Sequence, residues 1–131
     1  MSMNKKLQIA GAIFGLTAVI IGAFGAHGLE KVLDASDIAT FETGVKYQMY
    51  HALLLLLVSL FALSEKTKKT VLILLVTGVI FFSGSIYGLA TNELTGFDFT
   101  TIALITPLGG ALLIISWIVL LVQFIKGSNN G

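Results

Sequence analysis

The chain contains no cysteine and no arginine, and it has a single proline, two histidines, eight lysines and seven carboxylates in 131 residues. Without cysteine, neither a disulfide nor a thiolate metal site can form. Charged residues make up 11% of the chain against 56% hydrophobic, and the mean hydropathy is +0.95. A soluble domain of this size would have too little polar surface to stay dissolved. A net charge of +1, with no basic cluster larger than the one at 66–69, excludes nucleic-acid binding. No carboxylate interrupts the apolar stretches, which argues against a proton-coupled exporter built on a buried Asp or Glu.

Four such stretches fill most of the chain, and none contains Asp, Glu or Lys. Each approaches the roughly 20 helical residues that cross a hydrocarbon core of about 30 Å. The expected fold is all-α: one domain, 1–131, forming an integral membrane bundle of four transmembrane helices at about 7–26, 47–63, 70–90 and 101–125. Lys5, Lys6, Lys66, Lys68, Lys69 and Lys126 fall on one side of this arrangement and Lys31 and Lys46 on the other. The positive-inside rule then puts both termini in the cytoplasm. The first stretch, with its basic flank, has features of a secretion signal, but its apolar run of 19 residues, 7–25, exceeds a signal core.

Small residues recur along the first stretch at Gly11, Gly15, Ala18, Gly22 and Gly25, at spacings of four and three that place them on one helical face. Gly84 and Gly88 give the third stretch a similar face. In lipid such seams let helices approach closely enough for van der Waals packing to hold them. The polar residues 64–69 are expected to form a tight hairpin loop between the second and third helices. Pro107 either kinks a fourth helix that starts near 101, eased by Gly109 and Gly110, or opens that helix with Thr106 as its N-cap. The second reading leaves about 18 residues to cross, so the kink is preferred. Between the first two helices, Leu29, Val32 and Leu33, then Ile38, Phe41 and Val45, alternate with acidic residues. This pattern predicts a short amphipathic helix on the outer surface, running into the second span, with Ser36 or Asp37 near its N-cap.

The polar residues of the apolar stretches are concentrated toward one side. Gln48 and His51, Ser83, Ser85 and Tyr87, and Thr106 fall in the outer halves of their spans, with His27 where the first span emerges and Tyr47 and Tyr50 at interfacial height. They predict an outward-facing polar pocket above a dry Leu, Ile and Val plug. His51 is the sharpest candidate, because a histidine inside an apolar helix must find a partner. It either binds a ligand, relays a proton, or knits helices through a backbone carbonyl, Gln48, Ser83 or Thr106. A haem or metal on His51 and His27 is a lesser alternative, since two histidines make an incomplete zinc site; no cofactor is the primary expectation.

Four motifs run in order along the chain. They are Gly22-Ala23-Phe24-Gly25-Ala26-His27-Gly28-Leu29; Phe41-Glu42-Thr43-Gly44-Val45-Lys46-Tyr47-Gln48-Met49-Tyr50-His51-Ala52-Leu53; Phe82-Ser83-Gly84-Ser85-Ile86-Tyr87; and Thr106-Pro107-Leu108-Gly109-Gly110, with Trp117 beyond. Together they resemble the YgdD/YwdK-type family of small bacterial membrane proteins, which has mitochondrial relatives and no assigned activity. The resemblance implies a four-helix membrane protein and supplies no substrate. No nucleophile, base and orienting group occur at recognisable spacing, so an enzyme is not expected. The leading expectation is a non-enzymatic membrane component that binds membrane lipids, a partner membrane protein or a second copy of itself. A small transporter or channel component is the alternative from another class.

Overall fold

A computed structural model describes residues 1–91 and 104–127, and every regular element among them is helical. The elements are α1 (Met3–Leu29), α2 (Ala35–Val58), α3 (Glu65–Ala90) and α4 (Ile105–Lys126). The stretch 91–100 between the third and fourth expected spans, and the expected start of the fourth span at 101, lie almost wholly outside the described residues. Among the described residues three helices, α1, α3 and α4, are long and apolar enough to cross a membrane. α2 differs because its first half carries Asp37, Glu42 and Lys46.

Local chemistry sets the helix starts. Ser2 Oγ accepts from the Lys5 amide at 3.2 Å, Asp34 Oδ1 from the Asp37 amide at 2.8 Å, and Ser64 Oγ from the Thr67 amide at 3.1 Å. Each satisfies an amide that has no partner within its helix. Asp34, and not Ser36 or Asp37, therefore caps α2. No separate surface helix stands between α1 and α2 among the described residues: the amphipathic segment is the first half of α2, because nothing between Ser36 and Val58 breaks the helix. The α2–α3 connection also differs from expectation. The capped turn at Ser64 draws Lys66, Lys68 and Lys69 into α3, and residues 59–63, Ser59 followed by four apolar residues, make the bend. The predicted kink at Pro107 does not arise, since α4 begins at Ile105 and Pro107 occupies its first turn, where no intrahelical amide bond is due. α4 ends at Gly127, whose φ of 89° is a left-handed conformation that suits glycine.

The helices alternate in direction. α1 packs on α2, α2 on α3 and α3 on α4, while α1 and α3 meet only slightly. This brings the start of α1, the end of α2, the start of α3 and the end of α4 to a single end, marked by bonds from Gln8 to Ser59 (3.4 Å) and from Lys68 Nζ to Asn4 Oδ1 (2.7 Å). Leu7, Leu55, Val58, Val71, Leu75 and Leu120 form a closed apolar core in that lysine-rich half.

Glycines set the helix spacing. A β-carbon at Gly11 would lie 2.9 Å from the Ala52 carbonyl oxygen, one at Gly22 3.1 Å from Val45, and one at Gly25 would strike the Phe41 ring. With buried Ala18, this face of α1 is occupied by α2. Gly15 is more relaxed, with 3.9 Å to Ala52. On α3 the close approach comes from Gly78, against Leu113, and from Gly109 of α4, against the Phe81–Phe82 backbone. Gly84 does not take part: it is exposed, and a β-carbon there would meet nothing within 4 Å. Gly88 and Gly110 are half-buried, the latter 3.5 Å from Phe82, and Pro107 is exposed.

Candidate functional site

The polar side chains of the helices meet between the middle of α1 and α2, the last turns of α3 and the start of α4. Thr17, near the middle of α1, bonds back to the Ile13 carbonyl at 2.9 Å. Gln48 reaches across from α2 and donates from Nε2 to Thr17 Oγ1 (2.7 Å) and to the Phe14 carbonyl (2.9 Å). Its Oε1 accepts from the Tyr87 hydroxyl of α3 at 2.6 Å. One amide thus joins three helices. A turn away, Ser83 Oγ donates to the Gly44 carbonyl at 2.7 Å, a second link between α2 and α3. Ser85 bonds Thr106, linking α3 to the start of α4.

His51 faces the other side of α2. Its Nδ1 lies 2.7 Å from the Tyr47 carbonyl and its Nε2 lies 3.1 Å from the Trp117 indole nitrogen. An indole N–H can only donate, so Nε2 is the acceptor and the proton of the neutral ring sits on Nδ1, directed at the carbonyl. Both ring nitrogens are therefore engaged, and the His51–Trp117 bond ties α2 to α4. A metal at Nε2 would have to displace the indole. For the double-mutant cycle of His51→Ala and Trp117→Phe, a coupling of about 1 kcal/mol is expected in reversible unfolding in detergent or bilayer; strict additivity would show that the bond contributes nothing.

The structure divides the predicted pocket. His27 is exposed in the last turn of α1, where a basic group suits the helix dipole. α1 and α2 are antiparallel neighbours, but Gly25 faces Phe41 and Gly11 faces Ala52, so His27 and His51 stand roughly 20 Å apart along the bundle at the α-helical rise. Gln48, Ser83 and Tyr87 belong to the α1–α2–α3 network. Tyr47, Tyr50 and His51 instead line a cleft of about 640 Å³ between α2, α3 and α4, together with Phe82, Leu113 and Trp117. Gly110 forms part of its wall. The Tyr47 ring packs on Phe82 at 5.1 Å and Tyr50 at 5.7 Å between centroids. The hydroxyls of Tyr47 and Tyr50 bond no described residue, and both side chains are exposed. Every other polar group in this region is engaged: among the described residues no buried side-chain nitrogen or oxygen lacks a partner, and no three His, Asp or Glu are grouped to hold a metal.

Trp117 and Thr17 were not among the residues expected to line the pocket. A usable signal was present, since a lone indole donor in an otherwise apolar helix needs an acceptor, and a histidine ring nitrogen is a suitable one. The height of the site also differs. Lys46 looked like the edge of the second span, yet its neighbour Val45 packs on Gly22, inside the apolar run of α1. His51 consequently sits near the middle of α1, α3 and α4 rather than at an outer rim.

Comparison with known proteins agrees with the resemblance carried by the motifs. Residues 21–110 match the family described as "Protein of unknown function (DUF423)". The chain is 41% identical over 127 residues to the UPF0382 membrane protein YwdK of Bacillus subtilis, covering 93% of this chain and 98% of that protein. It is 33% identical over 135 residues to the UPF0382 inner membrane protein YgdD of Escherichia coli, covering 98% and 95%. A UPF0382 membrane protein of Haemophilus influenzae is 39% identical over 116 residues, covering 88% and 89%. No solved structure matches.

Proposed function

The chain belongs to the DUF423 family, whose relatives are membrane proteins without an assigned activity, and on that premise we propose that it is a non-enzymatic lipid-binding protein. The ligand site in this reading is the cleft between α2, α3 and α4. All four helices cross the membrane, with α2 sheltered between α1 and α3 and its acidic first half at the outer surface. The lysine-rich end faces the cytoplasm, with both termini there.

The observation that carries the reading is the division of polarity in the cleft. Two tyrosine hydroxyls that bond no described residue stand among its lining, and Phe82, Leu113 and Trp117 provide aromatic and aliphatic walls beside them. Its volume of about 640 Å³ suits a small amphipathic molecule. A lipid fits this pattern, with its polar group against the tyrosines and a chain along the walls. A partner helix fits less well, because the small residues that would admit one on α1 are already packed against α2. The satisfied His51 supports a structural role for the ring, which closes the back of the cleft.

Trp117 is the only tryptophan in the chain and lies in the cleft, so it reports on occupancy. In nanodiscs with a low mole fraction of lipid carrying brominated chains, wild-type fluorescence is expected to be quenched saturably. Gly110→Phe, which fills the cleft, should leave only the linear quenching produced by bulk lipid. Linear quenching in both proteins would refute lipid binding in the cleft.

A further inference from the structure

We infer that the groove between α1 and α3, on a different face from the α2–α3–α4 cleft, is a binding site for an anionic phospholipid, with the phosphate held between Lys6 and Lys69. The groove exists because α1 is committed to α2 and leaves a gap beside α3. Its lower part, about 480 Å³, is walled by Ile9 and Ile13 of α1 and Leu72, Ile73 and Val76 of α3, with Lys6 at the mouth. Ile13 also borders an upper part of about 280 Å³ lined by Gln48 and Tyr87, so the two adjoin at that side chain. From Lys6 to Ile21 the groove runs for roughly 22 Å along α1 at the helical rise, enough for an extended acyl chain.

The lysines stand at the head of this apolar path by helical period. Lys6 precedes Ile9, Ala10 and Ile13 at spacings of three, four and seven, and Lys69 precedes Leu72, Ile73 and Val76 in the same way. Each wall therefore begins with a cation at the lysine-rich end. Both side chains are exposed and neither bonds a described residue. Glu65, one turn before Lys69, is the only acidic side chain at that end among the described residues, against six lysines. Basic sites between helices on the cytoplasmic side are suited to anionic headgroups. A second copy of the chain is a poorer occupant, because the lower groove is walled by branched side chains while the small-residue face of α1 is turned to α2.

The test is native mass spectrometry on the delipidated full chain, titrated with phosphatidylglycerol or with phosphatidylcholine of identical chains. Wild type is expected to retain phosphatidylglycerol preferentially. Lys6→Gln or Lys69→Gln should each lower that preference about 5-fold and the pair about 25-fold. Glu65→Gln should raise it, and Ile73→Trp, which blocks the groove, should remove one bound phosphatidylglycerol. The lysine and glutamate substitutions are on exposed positions and leave the core untouched, so they keep the test interpretable if Ile73→Trp fails to fold. Equal retention of the two lipids would overturn the inference, as would a preference that survives the double lysine substitution. A dimer that Ile73→Trp abolishes would instead assign the groove to a second copy.

Discussion

Gly109→Leu is expected to destabilise the bundle by about 3 kcal/mol, the upper part of the range for overpacking a tight contact. Gly84→Leu, at an exposed glycine of α3, should change stability by less than about 0.5 kcal/mol. A β-carbon at Gly109 would run into the Phe81–Phe82 backbone, and backbone in a helix cannot rotate away as a flexible side chain can. Gly78 reinforces the contact from the facing helix, since a β-carbon there would lie 2.7 Å from Leu113 and 3.3 Å from the Gly109 carbonyl oxygen. In lipid there is no hydrophobic gain from pressing helices together, so the lost van der Waals contact is not offset by burial elsewhere. Steric trapping or reversible detergent unfolding of the two variants measures the difference. Similar losses for both would mean that the α3–α4 spacing is set by something other than Gly109.

Gln48→Leu should cost about 2 kcal/mol, because it removes three bonds at once and each such bond in a membrane protein contributes several tenths to somewhat more than 1 kcal/mol. The Tyr87 hydroxyl loses its acceptor and the Phe14 carbonyl and Thr17 hydroxyl lose their donor from α2. Thr17 keeps its bond to the Ile13 carbonyl, which limits the loss on α1. Tyr87→Phe removes only one of the three bonds and should cost about 0.6 kcal/mol. The double variant should therefore lose little more than Gln48→Leu alone. Full additivity, measured by the same unfolding assay, would show that Tyr87 and Gln48 do not act on one another.

Several features were legible because they depend on a short stretch of chain. Helical character followed from the long apolar runs, and the small-residue spacing on α1 indicated a packing face. The motif order pointed to the family that the comparisons show. Errors came where one local signal was given more weight than a neighbouring one. The lysines at 66–69 looked like a loop, yet the Ser64 cap makes them helix. Pro107 looked like a kink, yet in the first turn of α4 its missing amide costs nothing. Gly84 and Gly78 are equally small, and only the facing helix distinguishes the one that packs.

By itself the sequence determined the solvent in which this protein lives and the elements it uses. A chain so poor in charge, with apolar runs of this length, must satisfy its backbone internally, and helices do so within a single segment. Only the tertiary structure decided the register between helices, and with it the partners of the polar groups. A side chain's own chemistry states that it needs a donor or an acceptor; it does not state the rotation and height at which another helix will present one. Glycine contacts against Ala52, Val45 and Phe41 set that height for α1 and α2, separating His27 from His51 and bringing Gln48 to Thr17. The contact of Gly109 with α3 does the same for α4, bringing Trp117 to the free nitrogen of His51.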